Sequence, residues 1–310
     1  MIRVCSVSFS KNRELVAELH AHFPEAGLND AGTILSGSKL IDYLGGVEAA
    51  IVGTEKINRE IIDALPELKF IAKYGVGLDN LDSEYARAKG IGIGWQGGVN
   101  RRSVSELALG FMLGLSRNIF FSGLALKAGR WEKEGGFQLT GKTVGIVGCG
   151  FTGTDLARLL VPFGCRILIC DILDKGDVVA ELKASGLQCA QADLSVLLGE
   201  CDLISLHVPL TGQTSGMVNP DFLRSMKRSS FLINTSRGGV VEQEALKSAL
   251  QSNQIAGAAI DVFAIEPPDD LELLSLPNLM VTPHIGGNAR EAVLAMGRSA
   301  IQALRDFYKK

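Results

Sequence analysis

The sequence predicts an α/β protein built from doubly wound parallel sheets, and three features of the chain lead to this prediction. Short apolar segments rich in β-branched residues alternate with amphipathic segments of helical period along the 310 residues. A glycine-rich turn at residues 148–153 follows one apolar segment and precedes a helical one. Polar residues cluster just after several predicted strands, at the edge where parallel sheets bind ligands.

The first hundred residues show the alternation clearly. Strands are predicted at residues 2–7, 33–35, 49–52, 70–73 and 91–95, and helices at 14–20, 57–65 and 83–89. Strands that alternate with helices form parallel sheets with right-handed crossovers. Gly97 and Gly98 are interpreted as a hinge, and a long helix is predicted after them at 103–121.

The alternation resumes in the second half of the chain. Strands are predicted at 144–147, 166–170, 203–206, 231–234, 256–260 and 279–281. Helices are predicted between them, for example at 242–251, and a last amphipathic helix at 289–307 closes the chain. The sequence contains no repeats and no low-complexity segment, so two domains of ordinary size account for its length.

The glycine turn has the spacing of a dinucleotide-binding site. Gly148 permits the tight turn, Gly150 lets the backbone approach a pyrophosphate, and Gly153 lets the next helix pack close to the strand. Asp171 ends the following strand, 23 residues after Gly148. Because a carboxylate there accepts hydrogen bonds from ribose hydroxyls and repels a 2′-phosphate, the unit is predicted to bind NAD rather than NADP.

Composition narrows the class of protein. A hydrophobic fraction of 46% and a charged fraction of 21% are ordinary for a globular protein, and the net charge of −3 suggests neither a nucleic-acid nor a membrane partner. Glu106 and Arg117 interrupt the most apolar helix, so we do not expect it to span a membrane. The six cysteines are scattered without a C-x-x-C pair and are expected to be reduced and buried, and no metal site is predicted. The N-terminus lacks the organisation of a signal peptide, so we expect a cytoplasmic protein.

Three polar segments follow predicted strands of the second half, and they place Arg237, Glu266 and His284 at one sheet edge. A protonated His284 can give a proton to a keto oxygen as a hydride arrives from a nicotinamide. Glu266 can hold the imidazole tautomer, and Arg237 can bind a carboxylate and polarise the carbonyl. Each residue alone has an ordinary structural explanation, but three together beside a cofactor motif favour catalysis.

These motifs together resemble the D-isomer-specific 2-hydroxyacid dehydrogenase family over nearly the whole chain. The segments that carry the resemblance are 75–80, 103–107, 148–153, 207–210, 234–238, 261–268 and 283–286. The family fold implies a Rossmann NAD-binding domain at 99–287, inserted into a flavodoxin-like substrate-binding domain made of 1–98 plus 288–310. The resemblance also implies a homodimer.

The resemblance assigns roles to individual residues. Arg237, Glu266 and His284 match the family's catalytic residues, and the amides of Val76 and Gly77 match its substrate-carboxylate loop. The cofactor contacts that it implies are Gly148, Gly150, Phe151, Thr152, Gly153, Asp171, His207, Val208, Pro209, Thr235, Ser236, Asp261 and Gly286.

Within the family, the likeness is closest to the catalytic core of 3-phosphoglycerate dehydrogenase. The chain departs from its relatives at residues 95–102. Many relatives have an Asn-x-Pro motif in this approach to the helix, whereas the corresponding segment of this chain starts with Trp95. That loop borders the family's substrate pocket, so Lys73, Asn100, Arg101 and Arg102 are candidate substrate ligands. Lys73, Arg101 and Arg102 can bind a second anionic group as charge-assisted donors, although solvated cations at a helix start are an equally good interpretation.

The preferred substrate is therefore a D-2-hydroxy acid with a second anion, such as 3-phosphoglycerate or a phosphorus-bearing analogue. A hydroxypyruvate or glyoxylate reductase with a simpler pocket is the alternative within the enzyme class. A NAD(H)-sensing, peptide-binding corepressor-like protein is the alternative from a different class, because such proteins share the fold and the catalytic residues.

Overall fold

The computed structural model describes residues 1–309, which form two compact units. The first unit consists of Met1–Asn100 and the residues from Gly287 onward, and the second is Arg101–Gly286. The boundaries predicted from the sequence lie two residues before the first of these junctions and one residue after the second.

The first unit is built on a parallel four-stranded sheet in which the strands lie side by side in chain order. Its strands are β1 (Ile2–Val4), β2 (Ala49–Val52), β3 (Phe70–Lys73) and β4 (Gly92–Gly94). Gly27 forms an isolated parallel bridge to Arg3 on the free side of β1. Counting that bridge, the segments follow the order 2-1-3-4-5 of flavodoxin-like sheets. Every residue of β2 and β3 is buried, as expected for central parallel strands.

Five helices of the first unit connect these strands. They are α1 (Val7–Lys11), α2 (Arg13–His22), α3 (Gly37–Leu44), α4 (Arg59–Asp63) and α5 (Ser83–Ala88). Polar caps set the starts of three of them: the Asn12 and Asn58 side chains accept backbone N–H groups of α2 and α4, and the Asp82 side chain does so for α5.

The second unit is a parallel seven-stranded sheet with the order β11-β10-β9-β8-β5-β6-β7. The strands are β5 (Thr143–Val147), β6 (Arg166–Cys170), β7 (Cys189–Gln191), β8 (Leu203–Leu206), β9 (Phe231–Asn234), β10 (Gly257–Ile260) and β11 (Leu279–Val281). Numbered from 1 to 7 within the unit and read from β7, this order is 3-2-1-4-5-6-7, and its first six strands have the order of a Rossmann fold. The predicted α/β class with two doubly wound parallel sheets is therefore confirmed.

Helices cover both faces of the second sheet, and one further helix completes the first unit. The helices of the second unit are α6 (Arg101–Ser116), α7 (Ile119–Lys127), α8 (Phe151–Leu159), α9 (Gly176–Ala184), α10 (Leu194–Glu200), α11 (Pro220–Ser225), α12 (Gln243–Gln251) and α13 (Leu271–Leu274). The last helix, α14 (Arg290–Tyr308), returns to the first unit and packs on α2 and β3.

The long helix predicted at 103–121 is wrong as a single element, because α6 and α7 meet at a bend of 64°. Asn118 lies between them in the left-handed region at φ 55°, and its side-chain amide donates to the carbonyl oxygen of Glu134 at 3.1 Å. A left-handed residue ends an α-helix, and asparagine tolerates that conformation. Among residues 1–309, no single helix has the length and mean hydropathy to span a membrane, and only α6 and α7 taken together meet that test of length and composition.

Two strand predictions are also wrong. The strand predicted at 2–7 ends at Val4, because the Ser6 hydroxyl caps α1 by accepting the N–H of Phe9 at 3.3 Å, so Val7 is helical. Residues 33–35 form no strand. The place beside β1 is taken by Gly27 instead.

All six cysteines are free thiols, and five of them are buried while Cys170 is partly buried. Burial raises the pKa of Cys201 to about 12 and that of Cys165 to about 11. These thiols therefore stay protonated at neutral pH and pack as small apolar side chains.

Candidate active site

His284 and Glu266 form a hydrogen-bonded pair at the carboxyl edge of the second sheet. Nδ1 of His284 lies 2.7 Å from Oε2 of Glu266, and Oε1 of Glu266 accepts the backbone N–H of Phe263 at 3.1 Å. An ionised carboxylate only accepts hydrogen bonds, so Nδ1 carries the shared proton and Nε2 is the nitrogen that can gain or release one. Both side chains are partly exposed, at 48% for His284 and 38% for Glu266.

A buried carboxylate holds the turn that presents His284. Asp261 is 1% exposed, and its carboxylate accepts the Thr282 hydroxyl at 2.6 Å and the N–H groups of Ile285 and Gly286 at 2.7 and 2.8 Å. His284 itself has a left-handed backbone at φ 54°, and its N–H donates to the carbonyl of Asp261 at 2.8 Å. The structure therefore shows Asp261, which the resemblance assigns to the cofactor, as the anchor of the His284 turn.

Arg237 lies just after β9, whose neighbour β10 leads to Glu266. Its Nη1 donates to the carbonyl of Ser236 at 2.7 Å. The next residue, Gly238, lies directly against the backbone of Phe263 and Ala264, so that a Cβ at 238 would overlap their atoms. The segment that carries Arg237 is thus packed without a gap on the segment that leads to Glu266.

The three glycines of the turn have different surroundings. Gly148 is left-handed at φ 89°, and a Cβ there would come within 2.8 Å of the His207 carbonyl group. A Cβ at Gly153 would overlap the carbonyl oxygen of Gly148, so α8 can approach β5 only with glycine at this position. Gly150 has no atom within 4 Å of the place where its Cβ would stand. Gly148 and Gly153 therefore serve the fold, and Gly150 leaves open space beside the start of α8, where a pyrophosphate fits.

Asp171 directly follows β6 beside the glycine turn, as predicted. Its Oδ2 accepts the N–H of Cys149 at 2.7 Å, and its Oδ1 accepts the N–H of Leu173 at 2.9 Å. The ammonium of Lys175 lies 3.4 Å from Oδ2. Sequence reasoning missed Lys175, although its spacing of four residues from Asp171 was a possible signal. This ammonium offsets part of the carboxylate charge that would repel a 2′-phosphate.

His207 and Val208 directly follow β8. The Val208 side chain packs against the glycine turn, in the space that a Cβ at Gly148 would occupy. Burial lowers the pKa of His207 to about 4, and its Nε2 lies 2.9 Å from the Ser205 hydroxyl. A histidine that stays neutral at pH 7 is unsuited to donate the catalytic proton, so His207 does not compete with His284 for that role.

The remaining cofactor candidates lie at the same sheet edge. Phe151 and Thr152 open α8, Pro209 is exposed after β8, and Ser236 is buried after β9 with its hydroxyl on Asn234 at 2.7 Å. The buried Oγ1 of Thr235 has no hydrogen-bond partner among residues 1–309. A buried hydroxyl without a partner is costly, which suggests that a ligand supplies one.

The predicted substrate residues of the first unit lie in and around the loop after β3. Val76 and Gly77 are partly exposed. Lys73, the last residue of β3, is buried with 5% exposure, and its ammonium donates to the carbonyl oxygen of Gly53. Glu55 lies beside it and accepts the Gly53 N–H at 2.7 Å, and burial raises the pKa of Glu55. Lys73 therefore stabilises the carboxyl end of β3 from the protein interior.

The other candidates are residues 100–102, where the chain passes from the first unit to the second. Asn100 belongs to the first unit, and its Nδ2 lies 3.1 Å from where a Cβ of Gly287 would stand. Arg101 and Arg102 begin α6 in the second unit. The guanidinium of Arg102 binds the buried carboxylate of Asp155 on α8 at 2.9 Å. This ion pair links the two helices and gives Arg102 a structural role that sequence reasoning missed.

Comparison with known proteins defines the class of this one. The family model for the NAD binding domain of D-isomer specific 2-hydroxyacid dehydrogenases matches residues 109–286. A hydroxypyruvate reductase of Thermotoga maritima is 37% identical over 276 residues, which are 87% of this chain and 88% of the relative. The crystal structure of D-lactate dehydrogenase from Aquifex aeolicus with NAD and lactic acid has a TM-score of 0.83 at 26% identity and covers 99% of this chain and 95% of its own.

The molecule is thus an oxidoreductase with a Rossmann unit for NAD. The chain belongs to the D-isomer specific 2-hydroxyacid dehydrogenase family. It is also 34% identical over 280 residues to a D-3-phosphoglycerate dehydrogenase of Synechocystis, but these residues are 89% of this chain and only 50% of that relative. The predictions of the family, the enzyme class and the cofactor are confirmed.

The glycine turn provides a direct test of cofactor binding. We expect Gly150→Ala to weaken NADH binding about tenfold, because the new methyl group enters the space left for the pyrophosphate. The thermal midpoint should stay close to that of the wild type, since nothing in the protein lies within 4 Å of the new atom. NADH fluorescence titration and a melting curve check the two statements. Gly199→Ala on α10, which also meets no atom, is the matched control.

The Asp171 carboxylate provides a test of cofactor selectivity. We expect Asp171→Asn to move the NADH-to-NADPH ratio of kcat/KM at least about tenfold toward NADPH, because the repelling charge is removed while Lys175 stays. Steady-state kinetics with both cofactors measure the ratio. Asp174→Asn, which changes an exposed carboxylate three residues further on, should leave it unaltered. An unchanged ratio in Asp171→Asn would show that Asp171 does not face the ribose.

Proposed function

We propose that the protein interconverts a small 2-oxo monocarboxylic acid, of the hydroxypyruvate or glyoxylate kind, and the corresponding D-2-hydroxy acid. The observation that carries the proposal is the His284–Glu266 pair at 2.7 Å, in which the carboxylate fixes one ring nitrogen and leaves Nε2 for proton transfer. The names of two groups of relatives, hydroxypyruvate reductase and glyoxylate reductase, agree with this substrate size.

Bound NADH supplies the hydride, and the protein's own residues bind the substrate and transfer the proton. Protonated His284 gives its Nε2 proton to the carbonyl oxygen, and the Glu266 carboxylate stabilises the imidazolium before the transfer. Arg237 places a planar guanidinium on the substrate carboxylate and carbonyl, where negative charge develops. Val76 and Gly77 offer their backbone amides to the substrate carboxylate.

The contacts of the cations favour one of the two substrate hypotheses. Three cations were the basis for expecting a second anion, but Lys73 is buried on Gly53 and Arg102 is bound to Asp155. A monocarboxylic substrate is therefore favoured. Arg101, exposed in the first turn of α6, keeps a substrate with a phosphoryl group as the second candidate.

A substrate panel tests the proposal. NADH oxidation is followed with glyoxylate, hydroxypyruvate, pyruvate and phosphohydroxypyruvate, and we expect the highest kcat/KM with one of the monoanions. Preference for the phosphorylated acid, lost in Arg101→Ala, would instead establish the second candidate. Arg102→Ala serves as the contrast, because loss of its ion pair should lower the thermal midpoint without changing substrate preference. No turnover with any of the acids would contradict the proposal.

We further propose that the protein is a cytoplasmic homodimer. Helix α7 is apolar on all sides, yet only Ala125 is buried, while Ile119, Leu124 and Leu126 are more than half exposed. A helix of this composition is normally covered on every side, and a second copy of the chain is the occupant that the family resemblance favours. Light scattering should give twice the chain mass of 33.0 kDa, and a Leu124→Glu, Leu126→Glu double variant should give the single mass.

A further inference from the structure

We propose that Trp95 is a positioning residue for the substrate, and that its indole N–H fixes the direction in which the Gly77 amide points. The inference rests on the proposed function, because it assigns Gly77 to the substrate carboxylate. Neither the mechanism nor the cofactor site uses Trp95.

A hydrogen bond of ordinary length joins Trp95 to the loop after β3. Nε1 of Trp95 donates to the carbonyl oxygen of Val76 at 2.9 Å. Val76 and Gly77 share a planar trans peptide group, in which the N–H points away from the carbonyl. A bond that holds the Val76 carbonyl on one side therefore directs the Gly77 N–H to the other.

The loop presents its amides outward. Gly75 is left-handed at φ 125°, which lets the chain turn immediately after β3. Within residues 1–309, the N–H groups of Val76 and Gly77 have no acceptor, and both residues are partly exposed. Neighbouring backbone donors without an internal acceptor are suited to an anion, and a carboxylate matches their charge.

Trp95 projects from a rigid base. It follows β4, which pairs with β3, and Gly94 before it packs so tightly between Phe70 and Ala303 of α14 that a Cβ would overlap both side chains. Gln96 after it accepts a hydrogen bond from the Ser299 hydroxyl of α14 at 3.4 Å. The backbone at Trp95 is therefore held on both sides by its neighbours, and the indole connects this backbone to the loop through one hydrogen bond.

The bond contributes little to folding, because it lies at the surface. Trp95 is 44% exposed, so water can reach the Val76 carbonyl when the indole N–H is removed. Removal of the N–H alone should thus leave the stability close to that of the wild type and let the Gly77 peptide rotate. A positioning role and a purely structural role consequently predict different results.

The test is Trp95→Phe, which removes the N–H and keeps an aromatic ring. We expect the KM for the best 2-oxo acid of the panel to rise about tenfold, the KM for NADH to stay unchanged and kcat to stay within about twofold. The matched control is Trp131→Phe, the same change at a 75% exposed tryptophan whose indole N–H has no acceptor among residues 1–309. It should leave every constant unaltered.

Each outcome decides the question. A selective rise in the KM for the 2-oxo acid, with an unchanged melting curve, supports the positioning role. Unaltered constants in Trp95→Phe overturn it while the proposed function stands. An equal loss in both KM values and in the thermal midpoint also overturns it, because that is the result of a structural role alone.

A second measurement separates this inference from the proposed function. The protein has two tryptophans, so Trp131→Phe leaves Trp95 as the single emitter. Oxamate, an unreactive analogue of a 2-oxo acid, should change its emission saturably in the presence of NAD. If the wild type turns over none of the acids, the proposed function fails, and the response to oxamate decides the Trp95 inference independently. A flat response then overturns it.

Discussion

His284→Gln is expected to lower kcat for 2-oxo acid reduction by about 10²- to 10⁴-fold, the usual contribution of a positioned general acid. Glutamine keeps a polar side chain of similar length but has no proton to transfer at neutral pH. The KM for NADH should change little, because the glycine turn and Asp171 lie on other strands. Stopped-flow or steady-state assays with the best acid of the panel measure the loss.

The pH profile is the companion measurement. In the wild type, reductive kcat/KM should fall as the pH rises, because His284 loses the proton that it donates, and the oxidative direction should show the opposite dependence. His284→Gln should lose this limb of the profile. His20→Gln is the control, since His20 lies in the first unit with its ring on the carbonyl of Ala26 at 3.0 Å. Near-normal turnover in His284→Gln would remove His284 from the role.

The sequence predicts the sheet better than its connections. β6, β8 and β9 have the predicted bounds, because each is a short, mostly apolar segment with a buried centre. β7 was not predicted, since two of its three residues are exposed and it carries no apolar pattern. The bend at Asn118 was not predicted, because the sequence around it is predominantly apolar and has no proline or glycine at the bend itself that would mark a break.

The residues of the candidate site also fall into two groups, those that the sequence pattern indicates and those whose roles depend on tertiary contacts. The sequence indicates Arg237, Glu266 and His284 as candidates because they follow strands, and the carboxyl ends of parallel strands share an edge. The roles of Asp261 and Lys73 in the structure were not predictable, because each depends on which backbone groups a buried charge meets. The contact between Trp95 and Val76 joins two loops 19 residues apart, and no local pattern signals it.

Gly238→Ala is expected to reduce kcat/KM by about 100-fold, because it forces apart the two segments that carry Arg237 and Glu266. The new Cβ would overlap the backbone of Phe263 and Ala264, and backbone cannot turn aside as a side chain can. The strain of such overpacking should also lower the thermal midpoint. Glu266 accepts the N–H of Phe263, so a shift of that segment moves the carboxylate that holds His284.

The neighbouring glycine supplies the matched control. A Cβ at Gly239 would meet only the methyl groups of Leu210, at 3.1 and 3.2 Å, and this exposed side chain can move. Gly239→Ala should therefore keep nearly full activity. NADH binding distinguishes misplacement from unfolding: a folded Gly238→Ala protein binds NADH through the unaltered glycine turn and fails in turnover. Equal activity in the two variants would show that the contact between these segments does not set the geometry of the catalytic residues.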